Sequence, residues 1–499
     1  MKKHTISKMF LYRHRFQIGY LLLGLLFVAM LTILPLLTPR GLSEAEMESV
    51  VTSQSIHYDT ILEDNIVDLP YHILQKASIR LFGLTIYSIK LPSIILGGVL
   101  GVLFILLLNR WFKNNVAIMA SILAVLSSSF LFIAGSGTPL IMVVFWPTLL
   151  FWLGSKIQGE NKPKPLYSFI FAFALLFSLF TPYMIYLAIF IVLYALFHPH
   201  LRFTITHLPK IPFLLSVLIV LGVGYLFIMN ALRTPGTIPH LFFMDDFSWH
   251  NYLSNIKSAL LPFFQWSGMV ESTFLAPLIG LASLALAITG LISTYHGFFA
   301  SRNSIATYLI IFTVAISGFN PDCAILLVLP LAILIAHGFR YILNKWYGLF
   351  PENPYARVFG ILPIAVFLSI MIMSDISHFV FGYRYNPAVA NEFTNDLSII
   401  RNKVEADSTL IVNNKLEYDF YSILENDPIF NIENTKKIIV KNELPASDNP
   451  IKNLVTLGHI EEEVSDGVTP ILSNYTLLRI VTNSKSQNSD RLYFYEPKI

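Results

Sequence analysis

The chain has 499 residues, of which 55% are hydrophobic and 13% are charged. The charged share is about half that of a typical soluble domain, so composition and length exclude a single soluble core. Apolar runs of about 20 residues recur along the chain, and each is long enough to cross the hydrocarbon layer of a membrane. The net charge of +3 is small and gives no indication of a nucleic-acid partner. We therefore predict an α-helical polytopic membrane protein.

Cys323 is the only cysteine. A single cysteine excludes an intramolecular disulfide and a thiolate metal cluster, so we interpret Cys323 as a small apolar packing residue. Any domain outside the membrane must then be stabilised by its own core.

The first apolar stretch, residues 18–37, follows several basic residues and could be read as a secretory signal. It is longer than the apolar region of a signal peptide, and no small-x-small cleavage site follows it. We interpret it as an uncleaved first span.

Ten further apolar stretches bring the expected number of spans to about eleven. Thr181-Pro182-Tyr183 separates two of them, which are either two tilted spans or a re-entrant hairpin. The ten stretches are residues 91–109, 116–134, 140–153, 166–180, 184–197, 211–228, 274–292, 306–318, 324–336 and 358–373.

The distribution of basic residues predicts the orientation. With a cytoplasmic N-terminus, most loop lysines and arginines fall on the cytoplasmic side, as the positive-inside rule requires. An odd number of spans then places the C-terminal tail outside. We expect a plasma-membrane protein with a transmembrane domain at 1–375 and an extracytoplasmic domain at 376–499. The basic residues concerned are Arg110, Lys113, Lys156, Lys162, Lys164, Arg202, Lys210, Arg302, Arg340, Lys345 and Arg357.

Two outer loops are long, at residues 38–90 and 229–272. The first contains a predicted amphipathic helix at 70–82, ended by Gly83, which would suit the membrane surface. The second contains Asp245-Asp246 among many aromatic residues, a composition typical of the membrane interface.

The tail has the pattern of a small α/β domain. Apolar and polar residues alternate at helical spacing in 391–404 and 417–425, whereas 408–412 and 437–440 indicate strands. Residues 475–481 and 491–495 alternate like paired edge strands.

A series of short motifs runs from Leu42 to Phe112. It consists of Ser43-Glu44-Ala45-Glu46-Met47, Leu69-Pro70, Leu81-Phe82-Gly83, Lys90-Leu91-Pro92-Ser93 and Arg110-Trp111-Phe112. This order resembles the GT-C superfamily of membrane glycosyltransferases, in its protein O-mannosyltransferase and aminoarabinose-transferase branch (glycosyltransferase family 39). That family has an Asp-Glu-Ala motif after the first span, then a surface helix opened by a proline pair, a glycine, an Arg-Leu-Pro-Ser segment and the second span.

The resemblance implies transfer of a sugar from a polyprenyl-phosphate carrier to a glycan, lipid or protein acceptor on the outer face, within the cell envelope. Membrane lipid is then a partner, and nucleic acid is not. A carboxylate must orient or deprotonate the attacking hydroxyl, and cations must stabilise the departing phosphate. The resemblance implies no cofactor with certainty, and no ligand spacing supports a divalent metal.

The sequence departs from the family at the catalytic aspartate, where Ser43 stands. In a register shifted by two residues, Ala45 and Glu46 occupy the motif. A glutamate displaces the carboxylate by about an ångström, and misplacement on that scale can cost about 100-fold in rate. Asp68-Leu69 also stand where the family often has a basic residue. An alternative is therefore a non-catalytic relative that binds a lipid-linked glycan or a partner.

Glu44 and Glu46 are the candidate bases, and Glu44 is preferred because it occupies the family's glutamate position. The alternative is that both, with Glu48, form a solvated first turn of a helix. On a helix, Glu44 and Glu48 share one face and Glu46 lies on another, so the three cannot enter one pocket.

His72, Lys76 and Arg80 share one face of the predicted surface helix. They are candidates to bind the donor phosphate, and the alternative is that the two cations extend to lipid headgroups. Asp245 and Asp246 are candidates for acceptor binding or for a second acid. The alternative is that they only keep the loop in contact with water. A transporter is the least favoured function, because the charges lie at the outer boundary and not in the middle of the membrane.

Overall fold

The computed structural model describes most of the chain. The described residues are 24, 27–33, 38, 41–56, 66–158, 165–206, 210–234, 237–242, 248–265, 275, 277, 279–295, 301–349, 354–386, 389, 392–404, 408–426, 437–440, 453–458, 475–482 and 491–498. Helices occupy most of this range up to Tyr385, and a five-stranded sheet follows.

The helices that precede the tail are α1 Glu44–Ser55, α2 Leu69–Phe82, α3 Ile86–Trp111, α4 Asn114–Val125, α5 Ser128–Gly135, α6 Leu140–Gln158, α7 Pro165–Ser178, α8 Met184–Phe197, α9 Pro199–Thr206, α10 Lys210–Arg233, α11 Thr237–Phe242, α12 Tyr252–Leu260, α13 Leu281–Tyr295, α14 Ser301–Ile316, α15 Val328–Leu349 and α16 Pro354–Tyr385. Short 3₁₀ turns occur at Trp249–Asn251, Leu261–Phe263 and Pro321–Leu327.

By length and composition, four of the described helical stretches can cross a membrane: Ile86–Trp111, Leu140–Ile157, Cys323–Leu349 and Leu362–Tyr385. Helices α4 and α5 form a fifth candidate, bent by 64°. Each of the other predicted spans after the first also contains an apolar helix, but these helices are shorter. Residues 27–33 of the first predicted span are helical. The integral membrane character is thus clear, and the count of eleven crossings stays a prediction.

Helix α2 confirms the helix predicted at residues 70–82, and its place at the membrane surface stays a prediction. It ends at Gly83, whose φ of 71° lies in the region that favours glycine. Pro70 stands in its first turn, where a missing N–H costs nothing. Asp68 precedes the helix with a φ of 53°, an uncommon conformation for a residue with a Cβ.

Helix α1 begins at Ser43, the position where the family has its aspartate. The Ser43 hydroxyl accepts a hydrogen bond from the Glu46 backbone N–H, and the Glu46 side chain accepts one from the Ser43 N–H. This reciprocal arrangement is a capping box. It turns Glu46, Met47 and Val50 into the protein and leaves Glu44 and Glu48 exposed, so the predicted separation of the three glutamates is confirmed.

The tail folds as an α/β unit with the sheet order β2-β1-β3-β5-β4. Strand β1 pairs in parallel with β2 and β3, and β5 pairs in antiparallel with β3 and β4. The elements are α17 Asp396–Lys403, β1 Thr409–Val412, α18 Lys415–Ser422, β2 Lys437–Val440, β3 Leu454–Leu457, β4 Tyr475–Thr482 and β5 Arg491–Pro497.

The structure differs from the predicted tail in two ways. Strand β3 was not predicted, because a four-residue apolar run carries little local pattern. Strands β4 and β5 pair as expected, but β5 is interior because β3 covers its other edge. Residues 391–404 are helical only over Asp396–Lys403.

The tail shares a core with the first outer loop. Leu42 and Thr394 exchange two backbone hydrogen bonds, of 2.8 and 2.9 Å between N and O. Met47, Val50 and other loop residues pack in one buried cluster with residues of the tail sheet. Loop and tail therefore lie together. Which side of the membrane they face, and the division into domains at residue 375, stay predictions.

Candidate functional site

Glu46 lies at the centre of the candidate site, with only 1% of its surface exposed. Its Oε1 accepts a hydrogen bond of 2.6 Å from the Gly137 N–H, and its Oε2 accepts one of 2.9 Å from the Ser43 N–H. The carboxylate therefore joins the start of α1 to the turn between α5 and α6. Both oxygens are already engaged as acceptors.

Lys90, in the second turn of α3, supplies the counter-charge. It is fully buried, and its Nζ lies 3.6 Å from Glu46 Oε1. The ring of Phe393, from the segment before the tail sheet, lies 6.0 Å from the same Nζ. Because an isolated charge is costly to bury, the pair is stable only as a unit, and removal of either partner should destabilise the site.

Gln75 binds the carbonyl of Gly137, whereas Glu46 binds its N–H. Its Nε2 donates to the Gly137 carbonyl at 2.8 Å, and its Oε1 accepts from the Ser49 hydroxyl at 2.9 Å. Gln75 is completely buried. One side chain of α2 thus connects α1 to the turn, while Glu46 holds the N–H of the same turn residue.

Tyr71 and Ser93 extend this network along α3. Their hydroxyls lie 2.8 Å apart, and Ser93 Oγ donates to the Thr138 carbonyl at 3.3 Å. Burial raises the pKa of Tyr71, and the charges of Glu46 and Asp68 raise it further. The Tyr71 phenol therefore stays protonated at neutral pH. We call Glu46, Lys90, Gln75, Tyr71, Ser93 and the Gly137-Thr138 turn the polar cluster.

Asp68 lies one turn before Tyr71 and is 8% exposed. Burial raises the pKa of its carboxyl to about 7, although a hydrogen bond from Thr181 acts in the opposite direction. Its backbone N–H donates to the Phe180 carbonyl at 2.7 Å. Among the described residues its Oδ1 has no hydrogen-bond partner.

His72 is buried, and this burial lowers its pKa to about 4, although hydrogen bonds with Gln75 and the Ser49 backbone favour the charged form. At neutral pH the imidazole is uncharged. It can donate a hydrogen bond to a phosphate but does not add a positive charge there.

Lys76 and Arg80 differ in their surroundings although they share a helix face. The half-buried Lys76 ammonium donates to the carbonyls of Gln54 and Ile56, at the C-terminal end of α1. Such a position suits a cation because of the helix dipole. Arg80 and Glu44 are exposed. The structure brings neither of them to the polar cluster, and their predicted roles stay predictions.

Asp245 and Asp246 lie outside the described residues. Within the described part of the chain, no group of three or more His, Cys, Asp or Glu side chains is arranged to hold a metal ion.

Sequence reasoning did not assign roles to Lys90, Asp68 or Gln75. Lys90 could have been found from its position directly before the apolar run 91–109. A charge at such a position is costly unless it pairs with another group. Asp68 stands where the family that the chain resembles often has a basic residue, but its contact with Thr181 comes from a distant segment that no local pattern indicates.

Part of the chain matches a known protein family. Residues 70–226 match the model of the dolichyl-phosphate-mannose-protein mannosyltransferase family. No curated protein matches the chain significantly.

Solved structures share the fold at low identity. ArnT from Cupriavidus metallidurans, solved bound to undecaprenyl phosphate, aligns with a TM-score of 0.50 and 11% identity, over 97% of this chain and 98% of ArnT. The apo structure of the same ArnT aligns with a TM-score of 0.50 and 13% identity, over 96% of this chain and 98% of ArnT. The Archaeoglobus fulgidus oligosaccharyltransferase, tethered to an acceptor peptide, aligns with a TM-score of 0.50 and 12% identity, over 98% of this chain and 75% of the oligosaccharyltransferase. The family match and the shared fold confirm that the chain resembles the GT-C superfamily of membrane glycosyltransferases.

Proposed function

We propose that this protein transfers a sugar from a polyprenyl-phosphate carrier to an acceptor at the outer face of the membrane. One observation carries the proposal: the buried Glu46–Lys90 pair lies where the first outer loop meets the start of a membrane span. In a GT-C protein this loop is where the family motif lies. A buried ion pair contributes little net stability, so a pair at this position favours a function.

Lys90 is the cation that we assign to the departing phosphate. The bond between the anomeric carbon and the phosphate oxygen breaks during transfer, and negative charge develops on that oxygen. An ammonium held in a water-poor site stabilises this charge far more than one in water. Glu46 holds Lys90 in place before the donor binds, and the donor phosphate then competes for the same ammonium.

The relatives support a lipid-phosphate donor. ArnT has been solved with undecaprenyl phosphate, and the matching family model is named for dolichyl-phosphate-mannose chemistry. The orientation with loop and tail outside follows from the basic residues of the inner loops. We propose the sugar and the acceptor only as classes. The sugar is a hexose or a pentose, and the acceptor is a glycan, a lipid or a protein.

A non-catalytic, lipid-glycan-binding protein is the second candidate. Ser43 replaces the family aspartate and serves as a helix cap, and both oxygens of Glu46 are occupied. Ser43→Asp tests this candidate well, because aspartate caps helices as effectively as serine. If the protein has lost catalysis with its aspartate, Ser43→Asp should bind donor as the wild type does and gain transfer that the wild type lacks.

The direct experiment is sugar transfer by purified protein in lipid, with a panel of radiolabelled polyprenyl-phosphate sugars and an envelope extract as the acceptor. Glu46→Gln and Lys90→Met each leave one buried group without its partner, so a double variant is included to remove both charges together. Glu48→Gln, exposed on α1, is the matched control.

We expect transfer by the wild type and the control, and a loss of at least about tenfold in the double variant even where its folding is intact. Donor binding without transfer by the wild type would instead favour the non-catalytic candidate. Equal transfer by the double variant and the wild type would remove Lys90 from the proposed mechanism.

A further inference from the structure

We propose that Asp68 is the general base that accepts the proton of the acceptor hydroxyl, an inference that rests on the proposed function. Asp68 stands where the family that the chain resembles often has a basic residue, so the resemblance gives no catalytic carboxylate at this position. Three features support the role: the buried carboxyl, its position beside the polar cluster, and an oxygen without a partner, which Glu46 lacks.

The Asp68 carboxyl is held in a costly arrangement. Its backbone has a φ of 53° and a ψ of 23°, a left-handed conformation that few residues other than glycine, asparagine and aspartate adopt. More than nine-tenths of the residue is buried, yet its side chain does not cap α2 and its Oδ1 has no hydrogen-bond partner in the described part of the chain. A buried acceptor without a hydrogen-bond partner is costly, and such a group is more typical of a functional site than of a structural one.

Tyr71 connects Asp68 to the polar cluster. The Tyr71 N–H donates to the Asp68 carbonyl at 2.9 Å in the first turn of α2. The charges of both Asp68 and Glu46 act on the Tyr71 phenol, which bonds to Ser93. Ser93 lies one turn after Lys90 on α3, so Asp68 borders the same cluster that holds the proposed phosphate-binding cation.

Glu46 and Asp68 are the two buried carboxylates of α1 and the start of α2, and they differ in occupancy. Glu46 already accepts from two backbone N–H groups and pairs with Lys90, whereas Asp68 Oδ1 has no hydrogen-bond partner among the described residues. A base must accept a proton in the transition state, so an unoccupied oxygen is required.

The protonation states of the neighbours leave Asp68 able to titrate near neutrality. The titratable residues that follow Asp68 on α2 are Tyr71, whose phenol responds to the charge of Asp68, and His72. Burial moves the pKa of Tyr71 up and that of His72 down to about 4, both away from neutrality. Burial brings the pKa of Asp68 to about 7, close to the best value for a base at physiological pH.

The step is balanced without a further reagent. The acceptor oxygen forms a bond to the anomeric carbon as its proton passes to Asp68 Oδ1. The bond between the anomeric carbon and the carrier phosphate breaks, and its electron pair leaves with the phosphate oxygen beside Lys90. Asp68 then releases the proton to solvent.

The test compares Asp68→Asn and Asp68→Gly with the wild type in the radiolabel assay, between pH 5 and pH 9. Both replacements tolerate the left-handed backbone, so both should preserve the start of α2. Glu48→Gln is the control. We expect kcat to fall about 100-fold or more in both variants, with the KM for donor little changed. The wild-type rate should rise with pH through about 7, since the base must be deprotonated, and this rise should be absent in Asp68→Asn.

Three outcomes would overturn the inference. Asp68→Asn that keeps the wild-type kcat and pH profile would exclude Asp68 as the base while leaving the proposed function intact. An increase in KM alone would make Asp68 a binding group. Absence of transfer by the wild type itself would remove the proposed function, and the inference with it.

Discussion

At the scale of the residue, burial moves the pKa values of Asp68 and His72 in opposite directions. The pKa of Asp68 rises from 3.8 to about 7, so the folded protein binds more protons than the unfolded chain between these values. The stability that Asp68 contributes is therefore lost as the pH rises. The pKa of His72 falls from 6.5 to about 4, so its contribution increases with pH over almost the same range.

These opposing contributions partly cancel in the wild type between pH 4 and pH 6.5. Asp68→Asn removes the contribution that falls with pH, so its apparent Tm should rise with pH relative to the wild type across this range. His72→Gln removes the contribution that increases with pH, so its Tm should fall relative to the wild type as the pH rises. Thermal unfolding in detergent measures this, with Glu48→Gln as the control. Parallel profiles for Asp68→Asn and the wild type would contradict the assigned burial of Asp68.

The sequence predicted some of these side-chain positions and not others. Helical spacing separated Glu46 from Glu44 and Glu48, because the period of a helix is a local property. The family resemblance favoured Glu44, which the structure leaves exposed, whereas Glu46 is buried. Gly137 and Lys90, the two groups that engage Glu46, come from distant segments, and no local pattern indicates such contacts.

At the scale of the element, the turn between α5 and α6 is held by three helices. A Cβ on Gly137 would lie 2.7 Å from Ile89 Cγ2 and 3.3 Å from Glu46 Oε1. The absence of a side chain therefore allows the turn to approach α1 and α3 closely enough for the Glu46 and Gln75 hydrogen bonds.

Gly137→Ala should separate the turn from these helices. We expect a loss of about 1–3 kcal/mol from overpacking, seen as a lower Tm, and a decrease in sugar transfer. Gly98→Ala, on α3 with no atom within 4 Å of the added Cβ, is the matched control and should keep the wild-type Tm or exceed it. Equal Tm values for the two variants would show that the turn is not closely packed.

The success of prediction differs between elements for a physical reason. Helix α2 and its end at Gly83 were predicted because a proline, an amphipathic pattern and a glycine are all local signals. Strand β3 was missed because its four residues become a strand only through pairing with β1 and β5. The expected edge position of β5 was wrong for the same reason.

At the scale of the whole molecule, the segment that contains α1 and α2 packs with the tail around one core. Gly41 has a φ of 95°, and a Cβ there would lie 2.2 Å from the Thr394 carbonyl oxygen. This glycine lets Leu42 and Thr394 pair immediately before α1. The tail therefore contacts the start of α1, the helix that carries Glu46. The sequence did not predict this contact, because the two segments are about 350 residues apart.

Gly41→Ala should weaken the contact between loop and tail. We expect the amides of Leu42 and Thr394 to exchange hydrogen for deuterium faster, because the two backbone hydrogen bonds between them are lost. Exchange within α15 should stay as in the wild type. Gly348→Ala, in open space on α15, is the control. Unchanged exchange at both amides would contradict the close packing at Gly41.

Mass spectrometry of both products of one reaction distinguishes sugar transfer from donor binding alone. Purified protein in lipid is given a polyprenyl-phosphate sugar and an envelope acceptor, and the released polyprenyl phosphate is compared with the sugar gained by the acceptor. We expect equal amounts of the two, with both lost when Glu46 and Lys90 are replaced together. Donor that stays intact while bound to the wild-type protein would contradict this expectation.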